Sequence, residues 1–255
     1  MLTKLKAGVL KWLEKTFFSG RAGIENADEA LRYLPISDEI LADASNMPRI
    51  LEVGSGIKGI TPYIPFRITG VDVAFNGQVA ENLEPVCLSG TSLPFPDDSF
   101  DYVISVDMLE HVSAEERCGV VSELVRVAVR KVFLAVPCGS GAEAQDRVLD
   151  ALYLSEKGER DRFLAEHVEN GLPTEKELER CLRTASERTG RKTTIRVVPN
   201  VNLRVRGFFM RLWIKGRPAK LYLWLSPFFC LIRRFLNTGE CYRQIFILDF
   251  GAGDK

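Results

Sequence analysis

The chain has 255 residues, enough for one α/β domain with embellishments, and its 34 basic residues balance 34 acidic ones. A formal charge of zero gives no global pull toward nucleic acid. Cys87, Cys118, Cys138, Cys181, Cys230 and Cys241 are scattered with no Cys-x-x-Cys pair. That argues against a disulfide framework or a zinc site and for a reducing cytoplasm, and no signal peptide is evident.

Leu2, Leu5, Val9, Trp12, Leu13 and Phe17 recur at helical spacing, which predicts an amphipathic helix over 2–18. A second helical stretch runs from 26 to 41 with an interruption at Pro35, so residues 1–45 read as a helical cap. Strands are expected at 49–53, 68–73, 85–88 and 101–106, followed by a helix over 114–130. The continuous apolar run 131–137 is a fifth strand, buried on both faces. Charged helices are expected over 143–165 and 174–189, the second opened by a capping box of Thr174 and Glu177. Strand six falls at 193–198 and strand seven at 242–250. Alternating strands and helices imply a parallel sheet with helices on both faces. Residues 48–140 form its ligand-binding core, 141–192 a helical region beside the second ligand, and 200–240 an insertion.

The segment Ile50-Leu51-Glu52-Val53-Gly54-Ser55-Gly56-Ile57-Lys58-Gly59 reads as a strand, a glycine turn and a short helix, and Asp72 closes the next strand. That layout holds a nucleoside: glycine lets backbone approach a ligand, and a carboxylate at the second strand's tip accepts from both ribose hydroxyls. Gly54-x-Gly56-x-x-Gly59 matches a dinucleotide fingerprint, and an NAD-dependent oxidoreductase is the rival reading. Glu52 suits a cationic amino group better than a pyrophosphate, and Pro62 and Pro65 curtail the helix that would bind one. Glu52, Asp72, Ser89 and Asp107 all fall at expected strand ends.

Leu93-Pro94-Phe95 with Phe100-Asp101, before strand four, and Leu109-Glu110-His111-Val112 after it complete a set. Over residues 48–139 this set resembles class I S-adenosylmethionine-dependent methyltransferases, which implies a Rossmann-like, seven-stranded, mostly parallel sheet with an antiparallel last strand and helices on both faces. The resemblance implies that Gly54, Ser55 and Gly56 pack on the methionine part of S-adenosylmethionine and that Glu52 supports its amino group. Asp72 would hold the ribose and Val73 an adenine face. Ser89 stands where relatives often carry an acid, so Ser89 and Gly90 would meet adenine through backbone, and Asp107 and Met108 would border the methyl donor. A catalytically silent protein that keeps the cofactor fold is a further alternative.

His111 and His167 are the two histidines. His111 either removes the acceptor's proton or packs at a helix start. Asp107-x-x-Glu110-His111 also resembles the Glu-x-x-Glu-His run of ubiquinone-pathway and small-RNA O-methyltransferases, where it can hold a divalent metal. His167 lies in Glu166-His167-Val168-Glu169-Asn170-Gly171-Leu172-Pro173, weakly similar to bacterial methyltransferases of cell-surface polysaccharide synthesis. It lines an acceptor pocket or sits in a surface loop, and Asn200 and Asn202 carry the same ambiguity.

From 200 to 239 there are eight basic residues and no acid, interleaved with aromatic and aliphatic side chains. The apolar run 221–232 is too short for the ~20 residues of a bilayer span. It fits an element lying in a membrane interface, a lid or a dimer face. The expected activity is O-methylation of a small, glycan or lipid-linked acceptor, in the cytoplasm at the inner membrane face, with nucleic acid disfavoured.

Overall fold

The computed structural model describes residues 27–44, 47–216, 228 and 230–251. The helix expected over 2–18 and most of the run 221–232 lie outside the described residues.

Helix α1 (Ala27–Asp43) runs straight through Pro35, where an interruption was expected. Proline removes the amide that would have bonded the carbonyl four residues back, which is that of Leu31. Asn200 Nδ2 supplies the missing donor, 2.8 Å from Leu31 O, so the helix continues. A side chain 169 residues away repairs the helix, which no local reading of the proline shows.

The strands are β1 (Ile50–Val53), β2 (Ile68–Asp72), β3 (Leu83–Cys87), β4 (Phe100–Val106), β5 (Ala128–Pro137), β6 (Thr194–Asn202) and β7 (Cys241–Asp249). They form one sheet in the order β3-β2-β1-β4-β5-β7-β6. Strands β1 to β5 pair in parallel, while β7 is antiparallel to both β5 and β6. Strand order reverses between β1 and β4, which opens a crevice at their carboxyl ends.

Successive residues of the inner strands point to opposite faces, and both faces are apolar. Ile50, Ile68, Ile104, Phe133 and Ile247 pack with Leu34, Ile36 and Ile40 of α1. Leu51, Val103, Leu134, Phe246 and Leu248 pack with α2 (Ala114–Arg126) and α5 (Glu175–Thr189). The capping box at Thr174 and Glu177 is present as expected.

The single helix expected over 143–165 is two. Helix α3 (Ser140–Lys157) stops at Gly158, whose φ of +79° suits glycine, and α4 (Arg162–Asn170) starts where Asp161 accepts from Leu164 N. Strand β6 extends to Asn202, and that residue caps α6 (Leu203–Ile214) directly. Leu149, Leu164 and Ile214 join α3, α4 and α6 around a small cluster of their own. The insertion therefore begins as a helix packed on the body of the protein. No described helix is long and apolar enough to cross a membrane.

The reading of the cysteines as unpaired thiols is overturned at one place: Cys118 of α2 and Cys181 of α5 form a disulfide with Cα atoms 5.0 Å apart. The two are 63 residues apart and meet because their helices pack side by side, which cysteine spacing does not reveal. Closing such a loop restricts the unfolded chain by about 4 kcal/mol. Unreduced, denatured protein should therefore show four titratable thiols of its six cysteines. Dithiothreitol should lower the urea midpoint, and Cys118→Ser should remove that difference; six thiols and an unshifted midpoint would refute the bond.

Candidate cofactor and acceptor site

The turn after β1 is left-handed at every glycine: φ is +82° at Gly54, +54° at Gly56 and +47° at Gly59. Below the loop lies Glu52, fully buried, accepting from Tyr33 hydroxyl and Ile60 N, each at 2.8 Å. A Cβ on Gly59 would run into this carboxylate. Glu52 thus fastens the loop from beneath and does not face a ligand's amino group, as the sequence led one to expect. Burial raises its pKa to about 7, against the lowering influence of Ile60 N and Tyr33. No α-helix follows the loop; one 3₁₀ turn at Thr61–Tyr63 stands in its place, leaving no helix N-terminus for a pyrophosphate.

Three other strand ends close on this loop. Asp72 accepts from Gly56 N at 2.8 Å, and Val73 beside it is 72% exposed. A Cβ on Gly54 would come within 2.7 Å of Met108 Cβ, and one on Gly90 within 2.7 Å of Val53 Cγ1 and 3.7 Å of Met108 Cε. Ser55 is buried, its hydroxyl bonded to Gly56 O, and exposed Ser89 pairs with Thr91 through its hydroxyl at 3.0 Å. A Cβ on Gly56 would meet nothing within 4 Å. The surface over Gly56, Asp72 and Val73 is thus open, carries one carboxylate and offers one apolar face, which fits a nucleoside with an amino-acid tail.

Asp107 follows β4 directly, with a φ of +48°. Its carboxylate is gripped by Arg243, Nε to Oδ1 and Nη2 to Oδ2 at 2.5 Å, and by Arg32 Nη1 at 3.0 Å. Burial pushes its pKa up, but Arg243 and Arg32 prevail and hold it below the usual carboxylate range. Arg243 Nη1 also donates to Asn200 Oδ1 at 3.0 Å. Asn200 is therefore a strut between Arg243 and α1, and Asn202 a helix cap, not pocket residues. Because both Asp107 oxygens serve arginines, the metal set Asp107–Glu110–His111 is not formed.

His111 instead meets His167, their ring centroids 5.1 Å apart. His167 is a buried residue of α4, not part of a surface loop. His111 Nδ1 lies 2.7 Å from Glu166 Oε2, and His167 Nδ1 lies 2.9 Å from Asp146 Oδ2. Asp146 also accepts from Tyr242 hydroxyl at 2.8 Å and pairs with Arg206 at 2.9 Å. Burial and then His167 lower the pKa of His111 against Glu166; burial and then Asp107 raise that of Glu110 well above the usual range. The sequence reading gave no site role to Arg32, Tyr33, Asp146, Glu166, Tyr242 or Arg243. Of these only Arg243, a charge inside an apolar strand, carried a local signal.

Residues 51–136 match the methyltransferase domain family. Over that segment the match, together with the sheet order, supports the resemblance to class I S-adenosylmethionine-dependent methyltransferases. Among solved structures, the plantazolicin methyltransferase BpumL in complex with a monoazolic desmethylPZN analog and SAH is 11% identical over 93% of this chain and 89% of its own, with a TM-score of 0.54. A chain from the complex between the Haloferax volcanii Trm112 methyltransferase activator and a methyltransferase is 14% identical over 95% and 99%, at a TM-score of 0.51. A Haemonchus contortus phosphoethanolamine N-methyltransferase 2 is 14% identical over 86% of this chain and 53% of its own, at 0.50. At such identities the likeness concerns the fold.

The raised pKa of Glu52 makes stability depend on pH. Its unfolded value is near 4.5 and its folded value about 7, so its contribution is complete below 4.5 and is lost as pH rises through 7. The change is at most about 3 kcal/mol. Glu52→Gln should flatten that stretch of the urea-stability profile; an unchanged slope would show that Glu52 is ionised throughout. Gly59→Ala should cost at least ~2 kcal/mol through strain and collision.

Proposed function

We propose that the chain transfers the methyl group of S-adenosylmethionine to an oxygen of a small, glycan or lipid-linked acceptor. The observation that carries this is the juxtaposition of an open loop over Gly56, Asp72 and Val73 with a histidine pair just past Met108. The cofactor, when bound, supplies an activated methyl group on a sulfonium, and the protein's work is alignment and exclusion of water. Gly54, Ser55 and Gly56 would carry the methionine part, Asp72 the ribose hydroxyls, Val73 an adenine face, and Ser89 and Gly90 the adenine rim. Asp107, locked by arginines, holds Met108 against Gly54 and so borders the donor from below. His111 and His167, each oriented by a carboxylate, would receive the acceptor hydroxyl and manage its proton.

Calorimetric titration with S-adenosylhomocysteine tests the cofactor seat. Wild-type protein should bind it, Asp72→Ala should weaken binding at least tenfold, and His111→Ala should leave it within twofold. Absence of binding by the wild type would reject the reading. With tritiated S-adenosylmethionine and lipid or polysaccharide extracts, His111→Ala should lower incorporation about 10²-fold. Binding without incorporation into either extract would favour the silent cofactor-binding alternative.

The lipid-linked part of the proposal draws on exposed aromatic side chains among basic ones. Phe208 and Trp213 of α6, with Phe228 and Phe235 beyond it, stand exposed, and Arg204, Arg211 and Arg234, close to them in sequence, are exposed too. The protein should float with vesicles containing anionic lipid, and Phe235→Ser, at a side chain 79% exposed, should reduce the floating fraction. Protein left at the bottom with and without anionic lipid would remove the membrane surface from the proposal.

A further inference from the structure

Glu110, His111 and His167 can each present one donor atom, and those atoms all lie within 4.8 Å of one another. Two of the three side chains are deeply buried: Glu110 is 1% exposed and His167 8%. Glu110 Oε2 and His167 Nε2 have no hydrogen-bond partner among the described residues. Leaving such a buried atom unmet is unfavourable, so two of them facing one spot imply a ligand that satisfies both.

The surroundings say what kind of ligand. His111 Nδ1 sits against Glu166, and His167 Nδ1 against Asp146. A carboxylate on Nδ1 takes the ring proton there and leaves the Nε2 lone pair free, which is how metal-binding histidines are held. Asp146 is itself fixed by Tyr242 and Arg206, so the support extends one layer further. The charges point the same way. Asp107 is neutralised by Arg243, Asp146 by Arg206 and Glu166 by Arg162, but no Lys or Arg among the described residues lies within ion-pair distance of Glu110.

We infer that Glu110, His111 and His167 form a binding site for a divalent cation of borderline character, such as Zn²⁺ or Co²⁺, between β4 and α4. Two imidazoles and one carboxylate suit these ions better than Mg²⁺ or Ca²⁺. Bonds of 2.0–2.1 Å need donors about 3.4 Å apart, within reach of side-chain rotations of ~1 Å from the present spacing. Three protein ligands leave a coordination position open. The inference rests on reading this end of the site as the acceptor's, where the cation would hold the acceptor's oxygen and lower its pKa, in place of direct proton transfer to either imidazole.

The test uses tag-free full chain, stripped with chelator and titrated with Zn²⁺ and with Co²⁺. One equivalent of each should bind, with visible Co²⁺ absorption, and millimolar Mg²⁺ should not compete. His167→Ala and Glu110→Gln should weaken Zn²⁺ at least 100-fold, and Asp146→Asn 10- to 100-fold through loss of orientation. His111→Ala, at a side chain 27% exposed, endangers the core least and should also weaken Zn²⁺ at least 100-fold. No saturable binding by the wild type, or an unchanged isotherm in His111→Ala, overturns the inference. S-adenosylhomocysteine titrated into the same samples reports separately on the cofactor seat, so failure of one reading is distinguishable from failure of the other.

Discussion

Everything at the carboxyl edge of the sheet turns on the grip of Arg243 on Asp107. The aspartate sits in a left-handed conformation that most side chains avoid, and two hydrogen bonds of 2.5 Å hold it there. From this knot three consequences follow. Met108 is pressed against Gly54, Glu110 and His111 are turned toward α4, and Asn200 is engaged so that its amide can meet Leu31 O in α1. Removing one partner of a buried pair typically costs 3–5 kcal/mol, since the other charge is left stranded. Here the loss would spread from the site into the helix that Pro35 would otherwise break.

A second carboxylate works by the opposite principle. Glu52 has no cation within ion-pair distance among the described residues and gains its place through Tyr33 and Ile60 N. It is a spacer that fixes the height of the glycine loop, with Tyr33 stacked on Tyr63 at 5.6 Å to hold α1 in register. The two acids lie on adjacent strands, β1 and β4, on either side of the reversal in strand order. One shapes the glycine loop and the other the floor beneath Met108.

The proposed acceptor half is built differently from the proposed cofactor half. The cofactor half is backbone and strand ends, set by the sheet. The acceptor half is side chains from α3, α4 and the start of β7 converging on the turn that carries His111. Helices α3, α4 and α6 have their own apolar cluster, so this half can vary while the sheet stays the same. Its polar atoms are fixed in layers, arginine and tyrosine on carboxylate, carboxylate on imidazole, which limits the imidazoles to one orientation.

What could be read along the chain was whatever depends on neighbours in sequence. The alternation of strands and helices, the capping box at Thr174, the glycine turn and the carboxylate at Asp72 all follow from periodicity, turn chemistry and local spacing, and the structure places them where those rules imply. Family motifs between Leu51 and Val136 added the cofactor. What only the tertiary structure decided is everything that joins distant segments: Arg243 on Asp107 across 136 residues, Asp146 on His167, Cys118 on Cys181, Asn200 on Leu31. The physical reason is that a buried charge or hydrogen-bonding group must find a partner, and the chain can supply one from any element that packing brings near. A sequence shows the need in each residue; the sheet order and helix packing choose who meets it.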